Sequence, residues 1–119
     1  MENFKLYDAE YKFIDIIWAA EPIKSPELVA LCADKLGWKK STTYTMIKRL
    51  AERGLVQNVG TVVTSLVKRE QAQQYETETL LNKMFDGSVP SFVASFLKGR
   101  KLSETEAREI EQLIKEAAE

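Results

Sequence analysis

The stretch Lys39-Lys40-Ser41-Thr42-Thr43-Tyr44-Thr45-Met46-Ile47-Lys48-Arg49-Leu50-Ala51-Glu52-Arg53-Gly54, with the β-branched run behind it, decides the fold. At about 100° per residue, Thr43, Met46, Ile47 and Leu50 share one side, which predicts a helix from about Lys40 to Arg53 with that side toward a core. Gly54 supplies its left-handed stop. Ser41, Thr45, Lys48 and Glu52 lie opposite, with Thr42, Tyr44 and Arg49 on the flanks. The next residues, Leu55 to Val67, are dense in β-branched side chains around Asn58-Val59-Gly60, which predicts a short β-hairpin turning there.

Two helices precede this segment. The first is expected from an Asp8 N-cap to about Ala20, with Tyr11, Ile14, Ile17 and Trp18 at helical spacing and Glu21-Pro22 as its end. Ser25-Pro26-Glu27 reads as N-cap, first-turn proline and first-turn acid of a second helix, which carries Leu28, Val29, Leu31, Cys32 and Leu36 and stops at Gly37. Three helices follow the hairpin. They are expected over about 69–85, 89–97 and 103–118, the last opened by the capping box Ser103-Glu104-Thr105-Glu106.

Charge is distributed unevenly. The 119 residues carry 17 basic and 18 acidic groups, a net of −1 that argues against a uniformly basic coat. Residues 38–54, however, hold Lys39, Lys40, Lys48, Arg49 and Arg53 against Glu52 alone, a net of +4. Cations there neutralise phosphates and release counterions, while Ser, Thr and Lys side chains reach base edges. We therefore read Lys39, Lys40, Ser41, Thr42, Tyr44, Thr45, Lys48 and Arg49 as candidate DNA contacts. Three short helices, the third basic on its open face, then a hairpin, is the order of a winged helix-turn-helix. The expected class is mainly α: a winged-helix DNA-binding domain over 1–68 and a helical dimerisation domain over 69–119.

Other chemistries are closed by composition. There is no histidine and a single cysteine, which removes His-based acid/base catalysis, Ser-His and Cys-His nucleophiles, internal disulfides and Cys/His zinc sites. Glu104, Glu106, Glu109 and Glu111 read as a solvated helix face, and Cys32 as a small buried side chain. No enzyme activity, cofactor or metal is expected. The start Met1-Glu2-Asn3-Phe4-Lys5 lacks the pattern of a signal peptide, and apolar runs such as Ile16 to Ala20 are far shorter than a membrane span. With one unpaired cysteine, the expectation is a cytoplasmic protein without membrane insertion.

The C-terminal third is rich in large apolar residues. Leu80, Leu81, Met84 and Phe85 end one helix; Phe92, Val93, Phe96 and Leu97 fill the next; Leu113 lies on the last, beside Ile110 and Ile114. On a thin helical extension these would leave an exposed patch, so a homodimer is expected to bury them. The competing reading is a winged-helix module for protein contacts without operator binding, for which a hairpin uncharged from Val56 to Val63 is no handicap.

The order of these pieces resembles a known family. Ala9-Glu10-Tyr11 through Ile16-Ile17-Trp18, then Trp38, Thr42, Ile47-Lys48-Arg49-Leu50, Gly54 and Tyr75 carry the likeness. So do Leu81-Asn82-Lys83-Met84-Phe85-Asp86-Gly87, Ser91-Phe92-Val93, Phe96 and Leu102 to Glu106. Across about Leu6 to Lys115 the chain is similar to the penicillinase and methicillin-resistance repressors. The resemblance implies a homodimeric repressor that binds a palindromic double-stranded DNA operator through its winged helix and dimerises through its last three helices. It also implies induction by cleavage in the fifth helix once a membrane sensor metalloprotease detects β-lactam. The matching pair here is Ser95-Phe96, where the family's usual pair is Asn-Phe. The chain departs twice more: Lys39-Lys40 stands where relatives place a Ser or Thr cap, and the wing lacks their lysines. The C-terminal cysteine cluster of a copper-responsive branch does not occur in Ile114 to Glu119, so no copper sensing through it is expected.

Overall fold

The computed structural model describes residues 4–119. Residues 1–3, part of the stretch on which the absence of a leader was read, lie outside the described residues. The elements are α1 (Asp8–Ala20), β1 (Ile23–Lys24), α2 (Ser25–Leu36), α3 (Lys40–Glu52), β2 (Val56–Val59), β3 (Val62–Ser65), α4 (Arg69–Phe85), α5 (Val89–Leu97) and α6 (Glu104–Ala118). They form two compact units, with the division between Thr79 and Leu80 inside α4.

The first unit is built on the inward sides of its helices. Phe13, Ile14 and Ile17 of α1, Leu28 and Cys32 of α2, and Leu50 of α3 are buried, with Leu55, Val56, Val63 and Val67 closing the core from the sheet side. Each such side chain contributes about 1.5–3 kcal/mol when fully removed from water. Trp38, in the turn between α2 and α3, stacks on Phe13 with ring centres 5.7 Å apart, so the turn itself is packed. The first half of α4 belongs to this unit. Ala72 is buried, Tyr75 meets Phe4 edge-on, and the Trp18 indole N–H donates to the Val67 carbonyl just before α4 begins.

The chain differs from expectation at the sheet, at the hairpin turn and at the starts of α1 and α2. The sheet has three strands, ordered β1-β3-β2, because Ile23 and Lys24 pair antiparallel with Val63 and Val62. The hairpin turns at Gly60-Thr61, both in the left-handed region, rather than at Asn58-Val59-Gly60, since Val59 already pairs with Val62. Asp8 is the first residue of α1 rather than its cap, and the Tyr7 N–H is held instead by the Glu10 carboxylate at 2.9 Å. Ser25 likewise starts α2, with its N–H donating to the Thr61 carbonyl at 2.8 Å. Gly37 ends α2 in the left-handed conformation, as its sequence position requires.

The second unit, from Leu80, comprises the end of α4 with α5 and α6. Ser88 caps α5 by accepting the Ser91 N–H, and Ser103 with Glu106 forms the expected capping box on α6. Neither α5 nor α6 contains a fully buried residue.

Candidate nucleic-acid interface

The α3 helix divides as its periodicity requires. Thr43, Met46, Ile47 and Leu50 are buried, while Ser41, Thr42, Thr45, Lys48 and Arg49 are exposed along the opposite side. Lys39 and Lys40 are exposed at its N-terminus. No side chain caps that end, so the first-turn amides and two ammonium groups coincide at the positive pole of the helix dipole. An anion is favoured there for both reasons.

Tyr44 sits differently from the other candidate contacts. It is half-buried against the core, its hydroxyl lies 3.4 Å from the Ser25 hydroxyl, and the Lys40 ammonium is 5.9 Å from its ring centre. It therefore joins α3 to the start of α2 and holds Lys40 on the open side. Behind it, the Thr43 hydroxyl is buried without an ordinary hydrogen bond and faces the Cys32 thiol, a weak partner. Burial pushes the Cys32 thiol above its usual pKa, and the Thr43 hydroxyl offsets part of that rise. The thiol is thus an inert core group.

Arg53 shows what a local charge count misses. Its guanidinium donates to both Glu10 oxygens, at 3.1 and 3.2 Å, and to the Lys5 carbonyl. Glu10 is only 4% exposed, so this pair ties the end of α3 to the start of α1. The cations of the segment left for a ligand are Lys39, Lys40, Lys48 and Arg49. No spacing rule links residues 10 and 53, so the sequence carried no signal for this pairing.

The wing is fixed at both ends but carries no charge. Glu21, at the end of α1, accepts the Ser65 N–H at 2.7 Å and its hydroxyl at 2.9 Å, and the Thr61 carbonyl holds Ser25. Gln57 and Asn58 are exposed, and Val59 stands out at 67% exposure. Contacts from this wing are polar or apolar rather than ionic.

In the second unit, Leu80, Met84, Phe96 and Leu113 are exposed, while Leu81, Phe85, Phe92, Val93 and Leu97 are half-buried. Phe85 and Phe92 meet edge-on at 5.5 Å. Ser95 and Phe96 lie near the end of α5, and Arg100 covers the Phe96 ring at 4.4 Å while donating to its carbonyl. Among the described residues, no cluster of His, Cys, Asp or Glu is placed to hold a metal, and no helix is long and apolar enough to cross a membrane.

A braced helix pair with an uncovered polar and basic third helix, followed by a β2–β3 hairpin beside it, defines a winged helix-turn-helix protein. The chain belongs to the penicillinase repressor family: the profile described as Penicillinase repressor matches residues 6–116. It is 25% identical over 116 residues to the penicillinase repressor of Bacillus licheniformis, covering 94% of this chain and 91% of that one. It is 23% identical over 117 residues to the methicillin resistance regulatory protein MecI of Staphylococcus aureus, covering 95% of each. The solution structure of Bacillus licheniformis BlaI, monomeric and in complex with the blaP half-operator, has a TM-score of 0.51 and 24% identity. It covers 60% of this chain and 93% of that one, and it shares the winged-helix fold. The family is one of repressors, not enzymes.

Proposed function

We propose that this chain is a cytoplasmic, homodimeric repressor that binds a palindromic operator through α3 and is released when the dimer is parted. The uncovered face of α3 carries the reading: Ser41, Thr42, Thr45, Lys48 and Arg49 are presented together above a fully packed underside. Such a face seats in a major groove, with Lys39 and Lys40 at the phosphates and Thr45 and Lys48 nearest the base edges. BlaI, which shares the fold and is in complex with a half-operator, supports operator DNA as the partner.

A second copy is the occupant we assign to the apolar side chains of the second unit. Met84 and Leu113 are each 63% exposed and Phe96 is 51% exposed, in a region whose two last helices bury nothing completely. Pairing covers them and sets two α3 helices on two half-sites, so the second contact gains effective concentration from the first. Any event that breaks the pairing lowers operator affinity. Cleavage at Ser95-Phe96 by a membrane sensor metalloprotease is one such event, and Ser95 in place of asparagine makes another trigger the better fit.

The test is a gel shift with duplex DNA from upstream of the chain's own gene, alongside sedimentation. A retarded complex lost on Lys48→Ala with Arg49→Ala, and a species near twice 13.6 kDa, are expected. An unchanged shift in that double variant would favour a module for protein contacts, and a 13.6 kDa species at micromolar concentration would remove the dimer.

A further inference from the structure

The segment Phe4 to Tyr7, just before α1, is held by two helices at once. On one side Arg53, at the C-terminal end of α3, donates to the Lys5 carbonyl and to both oxygens of Glu10, and Glu10 in turn accepts the Tyr7 N–H at 2.9 Å. On the other side the Leu6 N–H donates to the Glu76 carboxylate at 3.5 Å, and the Phe4 ring meets Tyr75 edge-on with centres 6.3 Å apart, both partners lying on α4. The Leu6 side chain between these ties is buried in the core, which pins the segment in place. Among the described residues α4 runs close along none of α1, α2 or α3, so its hold on the first unit rests on a few side chains. Its root is fixed by Arg69, which pairs with Asp15 and covers the Trp18 ring at 4.8 Å. Ala72 is buried one turn on, and Tyr75 and Glu76 follow at the next. Beyond them Thr79 and Leu80 are exposed, and the helix continues into the second unit. The N-terminal segment therefore supplies the outermost brace, about 9–10 Å along the helix axis from Arg69. A rod held near its root swivels; a further fixed point sets its direction.

We infer that residues 4–7 are a strap that sets the direction of α4 against α3, and that Arg53 and Glu76, its two anchors, are positioning residues for operator binding. The inference rests on the operator-binding homodimer proposed above. α4 carries the chain into the unit assigned to a second copy, so its direction decides where the second α3 comes down. With the strap closed, the paired recognition helices meet one half-site spacing. With it open, α3 keeps its packed underside and its exposed face, but the link to the second half-site is looser and the effective concentration there falls. The strap acts on spacing rather than on contact, and neither Arg53 nor Glu76 has to touch DNA.

The experiment varies the strap and the DNA spacing together. Footprinting first maps the half-sites on the duplex upstream of the chain's own gene. The full chain is then titrated by anisotropy onto one half-site, onto both at natural spacing, and onto both with three base pairs inserted, which turns the second half-site by about 100°. The proteins are wild type, Phe4→Ala with Glu76→Ala, Arg53→Lys, and Glu78→Ala, which removes the same charge from α4 outside the strap. Arg53→Lys keeps a cation beside Glu10 but gives up the fork that also reaches the Lys5 carbonyl. Wild type and Glu78→Ala are expected to lose about tenfold on insertion, and the two strap variants less than about threefold. At natural spacing the strap variants should bind about tenfold more weakly than wild type, with half-site affinity unchanged in all four proteins. Equal weakening on the half-site and on the full operator would mean that the segment only supports the fold of the first unit. A wild-type insertion penalty in either strap variant would mean that α4 keeps its direction without the strap. Either result overturns the strap while operator binding stands. A wild type that binds no duplex, or that is indifferent to the insertion, removes the operator-binding dimer and the strap with it.

Discussion

The two units of this chain use similar proportions of large apolar side chains to opposite ends. In the first, Phe13, Ile14, Ile17, Leu28, Leu50, Val56 and Val63 are buried within one chain, and the polar face of α3 is left free. In the second, Leu80, Met84, Phe96, Leu113 and Ile114 remain open to solvent. The difference shows that apolar content alone does not mark a core. Helix number and crossing decide whether a single chain can enclose its own stripe, and the second unit has too few layers to do so. Stability within one chain belongs to the first unit; association is the use we propose for the second.

The largest effect should come from charging the open surface. Met84→Glu with Leu113→Glu is expected to halve the sedimenting mass and to lower operator affinity by about 10²–10⁴-fold, while the thermal melt of the first unit stays in place. An unchanged mass would mean these side chains cover nothing. Phe13→Ala should cost about 3–5 kcal/mol in urea unfolding, since it opens a cavity beneath Trp38. Phe96→Ala in dilute protein should cost under about 1 kcal/mol, so equal costs for the two truncations would abolish the contrast. Arg53→Met leaves Glu10 buried without its cation and should destabilise by about 1–3 kcal/mol, measured the same way. The smallest effect concerns Cys32, whose thiol pKa is raised in the folded state by burial. Below its ordinary value both states keep the proton. As pH rises past that value the unfolded chain ionises first, so stability falls until the folded pKa is reached. Cys32→Ala should flatten this alkaline slope in denaturation curves, and an identical slope in the variant would assign it to other groups.

Much of this was legible because it is local. The division of α3 into a buried Thr43-Met46-Ile47-Leu50 side and an exposed Ser41-Thr45-Lys48 side follows from periodicity, and the Ser103 capping box from two residues three apart. The family resemblance in the sequence agrees with the profile match. Part of what escaped depends on partners far along the chain. A two-residue strand at Ile23–Lys24 has no period of its own and exists through β3. Thr61 takes a left-handed conformation that its side chain disfavours, so Asn58 was the stronger turn signal. The five cations of residues 38–54 overstated those open to a ligand, because Glu10 claims Arg53 across 43 positions.

The bond from the Ser25 amide to the Thr61 carbonyl has a mechanical side. It fastens the tip of the hairpin to the foot of α2, while Glu21 clasps Ser65 at the far end of β3. Hairpin and helix pair are thereby fastened together at two points. Under the operator binding proposed above, a push on the hairpin is expected to reach α3 through these ties, so that hairpin residues touching no base would still bear on which sequence is preferred.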